Sequence, residues 1–114
     1  MNARDESLLE DMLSYARDAV ELLGETDTPT LAGDKLRRYA VIRAIEVVGE
    51  AAGRTSDETR AALPSLPWRQ VIGMRNVLIH CYAGLDLNIV VRTVRVHLPV
   101  LIEQLGQVLG EGSE

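Results

Sequence analysis

The sequence predicts an all-α protein, a four- to five-helix up-down bundle, and three observations carry that reading. Apolar residues recur at the helical period along four stretches of the chain. Aromatic residues are scarce: there is no Phe, one Trp and three Tyr, so small and aliphatic side chains must fill the core, which suits closely packed helices. The one run that could pass for a strand, Ile-Val-Val-Arg-Thr-Val-Arg-Val, has no partner strand elsewhere in the chain.

The elements follow in order. Apolar positions 8, 9, 12, 13, 16, 19, 20 and 23 lie on one helical face. Ser7 and Glu10 have capping-box spacing, although a start near Asn2 is also open. Gly24 and Glu-Thr-Asp-Thr-Pro end this first helix. A second helix covers 34–54 with Asp34 as N-cap, and it is apolar around most of its circumference, the mark of a central, buried helix. Its polar stripe is Arg43, Glu46, Glu50 and Arg54. Gly49 and Gly53, four apart, would admit a close backbone neighbour. Residues 55–66 read as a connector with room for one short turn at 57–62. A third helix starts at Pro67, which suits the first helical position, and ends at Ala83-Gly84. Asp86 caps a last helix carrying Leu87, Val90, Val91, Val94 and Leu98, which Pro99 should kink or break before the apolar pattern resumes over 100–109. Residues 1–110 thus form one domain, and the tail 111–114 should fray.

A chain of 114 residues can bury roughly 65% of its unfolded surface, enough for one core. Cys81 is the only cysteine, so no internal disulfide forms, and no apolar run reaches the roughly 20 residues of a membrane span. With no apolar signal core at the N-terminus, the chain reads as soluble and cytoplasmic. Its net charge of -5 argues against a strong, general nucleic-acid binder. The charge is unevenly spread, however. Residues 1–53 carry 11 acids and six bases, whereas residues 54–95 carry three acids and six bases. Every cation but Lys35 is arginine, whose guanidinium can grip phosphate with two hydrogen bonds.

The locally basic segment contains Arg75-Asn-Val-Leu-Ile-His80-Cys-Tyr82. On an ideal helix Asn76 and His80 share a face with Arg69 and Gly73, and Arg75 shares one with Tyr82. Arg75 and His80, five apart, are separated by about 140°. One straight helix therefore does not place them side by side. Either the helix ends near His80 or two copies face each other across a shared site. Without chemistry, His80 is a cation favoured by a helix C-terminus and Arg75 a solvated or salt-bridged residue.

The run Met74-Arg-Asn-Val-Leu-Ile-His-Cys-Tyr82 resembles the signature of HEPN ribonucleases: Arg, a polar residue, a short apolar spacer and His. The Tyr two places after the His resembles the HepT branch, the toxin partners of minimal nucleotidyltransferases. Ala44-Ile-Glu-Val-Val-Gly-Glu-Ala-Ala52, Leu66-Pro-Trp-Arg-Gln-Val-Ile-Gly-Met74 and Leu85-Asp-Leu-Asn-Ile-Val90 are similar to that branch in the same order, so the likeness spans nearly the whole chain. The resemblance implies a HEPN-like bundle dimerising through its helices, with the site where two copies of the motif meet. It implies a toxin endoribonuclease that needs no metal or other cofactor, with Arg75 and His80 catalytic. It also implies a cognate nucleotidyltransferase antitoxin that adenylylates Tyr82.

The residue chemistry suits that activity. RNA supplies its own nucleophile, the 2′-hydroxyl; a histidine can exchange its proton near neutral pH, and an arginine can hold charge that gathers on phosphorus. Asn76, on the His80 face, can orient the imidazole or the phosphate. The alternative is a non-catalytic helical partner of a nucleotidyltransferase, binding nucleotide or stabilising its neighbour. Among the remaining candidates, His97 reads as a cap or surface group and Cys81 as packing, while Glu46 and Glu50 either orient arginines at the site or, the favoured reading, pair with Arg43 and Arg54. No His/Cys/Asp cluster has metal-ligand spacing, and no glycine-rich phosphate loop is present.

Overall fold

The computed structural model describes residues 1–80 and 86–110, with side chains over 1–75 and 86–110. Helices α1 (Ala3–Leu23), α2 (Thr28–Gly33), α3 (Lys35–Arg54), α4 (Asp57–Ala62), α5 (Trp68–His80), α6 (Leu87–Arg92) and α7 (Leu98–Val108) follow in order, the last two joined by a π-helical turn over Thr93–His97. No strand occurs among the described residues, so the β-branched run is helical as expected. The ends expected at Ala83-Gly84 and the tail 111–114 lie outside the described residues.

Helix α1 begins at the earlier of the two expected starts. Asn2 Oδ1 accepts from the Asp5 amide at 2.7 Å, and Ser7 lies inside the helix. Asp5 is fully buried, and its carboxylate accepts from Ser56 Oγ at 2.5 Å, Thr59 Oγ1 at 2.6 Å and the Ser56 amide at 3.2 Å. The Ser56 hydroxyl first, then that of Thr59, holds the Asp5 carboxyl below its ordinary range. One buried acid thus fastens the start of α1 to the start of α4, which Ser56 also caps through the Thr59 amide.

At its other end α1 stops at Gly24, whose φ of 52° lies in the left-handed region that favours glycine. The loop after it holds a helix that the sequence reading did not anticipate. Asp27 Oδ1 caps α2 through the Thr30 amide at 2.9 Å, Pro29 occupies its first turn, and Leu31 is fully buried. Six residues are too few for apolar periodicity to show. Arg95, on the π turn, donates to the carbonyls of Gly24 at 3.1 Å and Thr26 at 2.6 Å, tying the far end of the chain to this loop.

Asp34 caps α3 as expected, accepting from the Arg37 amide at 3.1 Å. Val41, Ile42, Ala44, Ile45, Val48, Gly49, Ala51 and Ala52 are all buried, because α3 packs against both α1 and α5. Helix α7 adds Leu98, Leu101 and Leu105 against α1, giving one aliphatic and alanine-rich core.

The expected break at Pro99 takes another form. Pro99 lies in the first turn of α7, but the chain stays helical from α6 through the π turn into α7. The Leu98 amide reaches back five residues to the Thr93 carbonyl. A proline cannot donate to the carbonyl four residues earlier and would collide with it in a regular α-helix. The extra residue in the π turn accommodates that conflict without breaking the helical path.

Candidate active site

Helix α5 is anchored at its start, where Trp68 Nε1 donates to the Leu63 carbonyl at 2.9 Å and Val71 is buried against α3. Helices α3 and α5 approach closely at Gly49. A Cβ there would lie 2.6 Å from Arg75 Cβ and 3.3 Å from both the Arg75 nitrogen and the Val71 oxygen. Only glycine leaves that space empty, so the expected close approach occurs at Gly49. Among the described residues it does not occur at Gly53, where a Cβ would meet none of their atoms within 4 Å.

The crossing delivers Arg75 to Glu50. Arg75 Nε stands 3.7 Å from Glu50 Oε1, and the same oxygen stands 3.4 Å from Arg43 Nη1. The Glu50–Arg43 pair is the one the sequence favoured; the Glu50–Arg75 pair matches its other reading, in which Glu50 orients an arginine of the site. Arg75 Nε is itself buried and has no hydrogen-bond partner, since 3.7 Å exceeds hydrogen-bond range. The Arg75 side chain is nevertheless 41% exposed, so its exposure belongs to the rest of the group. Arginine thus turns a buried edge to α3 and keeps other atoms open to solvent.

His80 is the final residue of α5, five positions after Arg75. The helix separates these positions by about 140° and about 7.5 Å along the axis. Asn76 and His80 are placed by their positions on α5 alone, and Cys81 and Tyr82 lie outside the described residues. Among the residues whose side chains are described, the structure brings Arg75 together with Glu50 and Arg43.

His97 holds the N-cap position of α7, one of the two places the sequence reading assigned it. It makes no side-chain cap and is half-buried, with Nδ1 3.1 Å from Gln70 Nε2. Both line a groove of about 250 Å³ between α3, α5 and the α6–π-turn segment, with Ile45, Gly73 and Met74 among its walls. Among the described residues no group of three or more His, Cys, Asp or Glu could hold a metal ion, and no helix is long and apolar enough to cross a membrane.

Comparison with known proteins decides the family. The family described as "Ribonuclease HepT-like" matches residues 12–108. The chain belongs to the HepT-like ribonuclease family. By that membership it is a ribonuclease of the HEPN type, with the all-helical fold expected for it. Among curated relatives, a provisionally named RNase of Methanocaldococcus jannaschii is 35% identical over 106 residues, covering 92% of this chain and 97% of its own. A second from the same organism is 32% identical over 115 residues, covering 100% and 99%. A provisionally named ribonuclease HepT of Thermococcus cleftensis is 35% identical over 95 residues, covering 80% and 86%. No solved structure gives a significant match.

Sequence reasoning weighed Glu50 and favoured its neighbours on α3 as partners. The signal available was the adjacency of Gly49 and Glu50: a glycine that admits another helix, next to an acid able to pair with what that helix brings.

Proposed function

We propose that this HepT-like ribonuclease is the toxin of a toxin–antitoxin pair, a metal-independent endoribonuclease whose site combines Arg75 of one copy with His80 of another. The observation that carries the reading is the placement of Arg75. It turns a buried edge toward Glu50 on α3, while His80 lies about 140° further around α5. A two-fold pair with α5 facing α5 would let each Arg75 meet the other copy's His80.

In such a site the 2′-hydroxyl oxygen attacks phosphorus and its proton passes to a neutral His80. Negative charge gathers on the phosphoryl oxygens, where the Arg75 guanidinium stabilises it. The bond to the 5′-oxygen breaks, that oxygen takes a proton from water as the His80 imidazolium returns its own to solvent, and a 2′,3′-cyclic phosphate and a 5′-hydroxyl result. Asn76 orients the imidazole or the phosphate. Tyr82 is the site of adenylylation by a cognate nucleotidyltransferase; an AMP group there would add bulk and negative charge next to a phosphate-binding site and silence it.

Mixing inactive variants tests the shared site. Arg75→Ala and His80→Ala homodimers should each fail to cleave RNA while remaining folded. Random exchange makes about half the dimers mixed, each with one intact site of two, so about a quarter of parental activity should return. No recovery despite demonstrated exchange, or full activity in His80→Ala alone, would refute the proposal. Growth arrest by the chain expressed alone, relieved by His80→Ala, is the matching result for the toxin role.

A further inference from the structure

We propose that Glu50 is a positioning residue for Arg75. The inference rests on the reading of Arg75 as the phosphate-binding group. Arginine has five N–H donors, and two parallel ones along an edge suit a phosphate. A long, flexible side chain must be held if that edge is to stay in place. Glu50 Oε1 lies 3.7 Å from Nε, the buried atom, and so restrains the inner part of the guanidinium without occupying its exposed part. Gly49, one residue earlier, lets the Arg75 backbone come close enough for this contact.

A carboxylate beside a phosphate site would ordinarily repel substrate. Arg43 counters this, because its Nη1 stands 3.4 Å from the same Glu50 oxygen. Two guanidiniums and one carboxylate leave a net charge of +1, so the cluster still attracts an anion. Glu50 thus sets where the Arg75 charge sits, and Arg43 prevents Glu50 from cancelling it.

This arrangement gives a signature that a merely structural glutamate would not. Glu50→Gln keeps the shape, releases Arg75 and raises the cluster charge to +2. The rate constant kcat for RNA cleavage should fall by roughly ten- to a hundredfold, the scale of a loss of alignment of about 1 Å. KM should stay level or fall, and its salt dependence should steepen, because more positive charge faces the substrate. The assay is steady-state cleavage of a fluorogenic oligoribonucleotide at several salt concentrations, on variants whose melting temperature matches the parent. Glu50→Ala, measured beside it, should show the same split if Glu50→Gln proves unstable. An inactive Arg75→Ala beside Glu50 variants with parental kcat would overturn the positioning role alone. An Arg75→Ala protein as active as the parent would overturn the reading of Arg75 on which it rests.

Discussion

Replacing Gly49 by alanine sets two effects of opposite sign against each other. In a helix interior, alanine is favoured over glycine by about 1 kcal/mol. At Gly49 the new methyl group would stand 2.6 Å from Arg75 Cβ and 3.3 Å from the backbone at Arg75 and Val71. Carbon atoms prefer roughly 3.5–4.0 Å, so α5 would have to retreat by about 1 Å. Overpacking of this kind costs about 1–3 kcal/mol. The neighbour is a Cβ fixed to the α5 backbone, so it cannot swing aside as a flexible chain end would. The clash should prevail by about 1 kcal/mol, which lowers the melting temperature by about 4 °C in a domain of this length. Gly53→Ala is the matched control on the same helix. Its Cβ would meet none of the described residues within 4 Å, so it should keep the propensity gain and melt up to about 4 °C higher. Thermal unfolding followed by circular dichroism measures both. RNA cleavage should fall in Gly49→Ala, because Arg75 moves with α5, and should hold in Gly53→Ala. Equal stabilisation by the two substitutions would refute the close approach at Gly49 and the placement of Arg75 that depends on it.

Two other predictions concern the framework. Asp5 accepts several hydrogen bonds as a carboxylate, led by the Ser56 hydroxyl, and its pKa is lowered on folding. Its stabilising contribution is therefore complete above the unfolded value of about 3.9 and is lost as pH falls through the lower folded value. Asp5→Asn should melt below the parent at neutral pH, and the gap should close below about pH 3.9; a pH-independent gap would show that ionisation is irrelevant. Leu31 is fully buried although α2 has only six residues. Leu31→Ala should cost about 2–5 kcal/mol in denaturant unfolding, whereas Leu36→Ala, at a side chain 83% exposed, should change stability by about 0.5 kcal/mol or less.

Much of this protein is local and therefore legible in order. Helices α1, α3 and α5 announce themselves through apolar spacing. Asp34 and Asp86 cap where they should, with Asp86 Oδ1 accepting from the Asn88 amide at 2.9 Å. The run from Arg75 to Tyr82, with the ordered segments around it, is enough to place the chain in its family. Features requiring one part of the chain to meet another were less legible. The role of Asp5 depends on Ser56 and Thr59, more than fifty residues away. The π turn before Pro99 is a compromise between a local steric conflict and packing that keeps Leu98, Leu101 and Leu105 buried.

By itself, then, the sequence determined the longer helices, most of their ends, the buried character of α3 and the family to which the chain belongs. Period, cap and residue chemistry are properties of short stretches. Only the tertiary structure decided that Glu50 meets Arg75 as well as Arg43. Spacing along α3 offers Glu50 several arginines equally, and the choice among them is made where α5 crosses at Gly49.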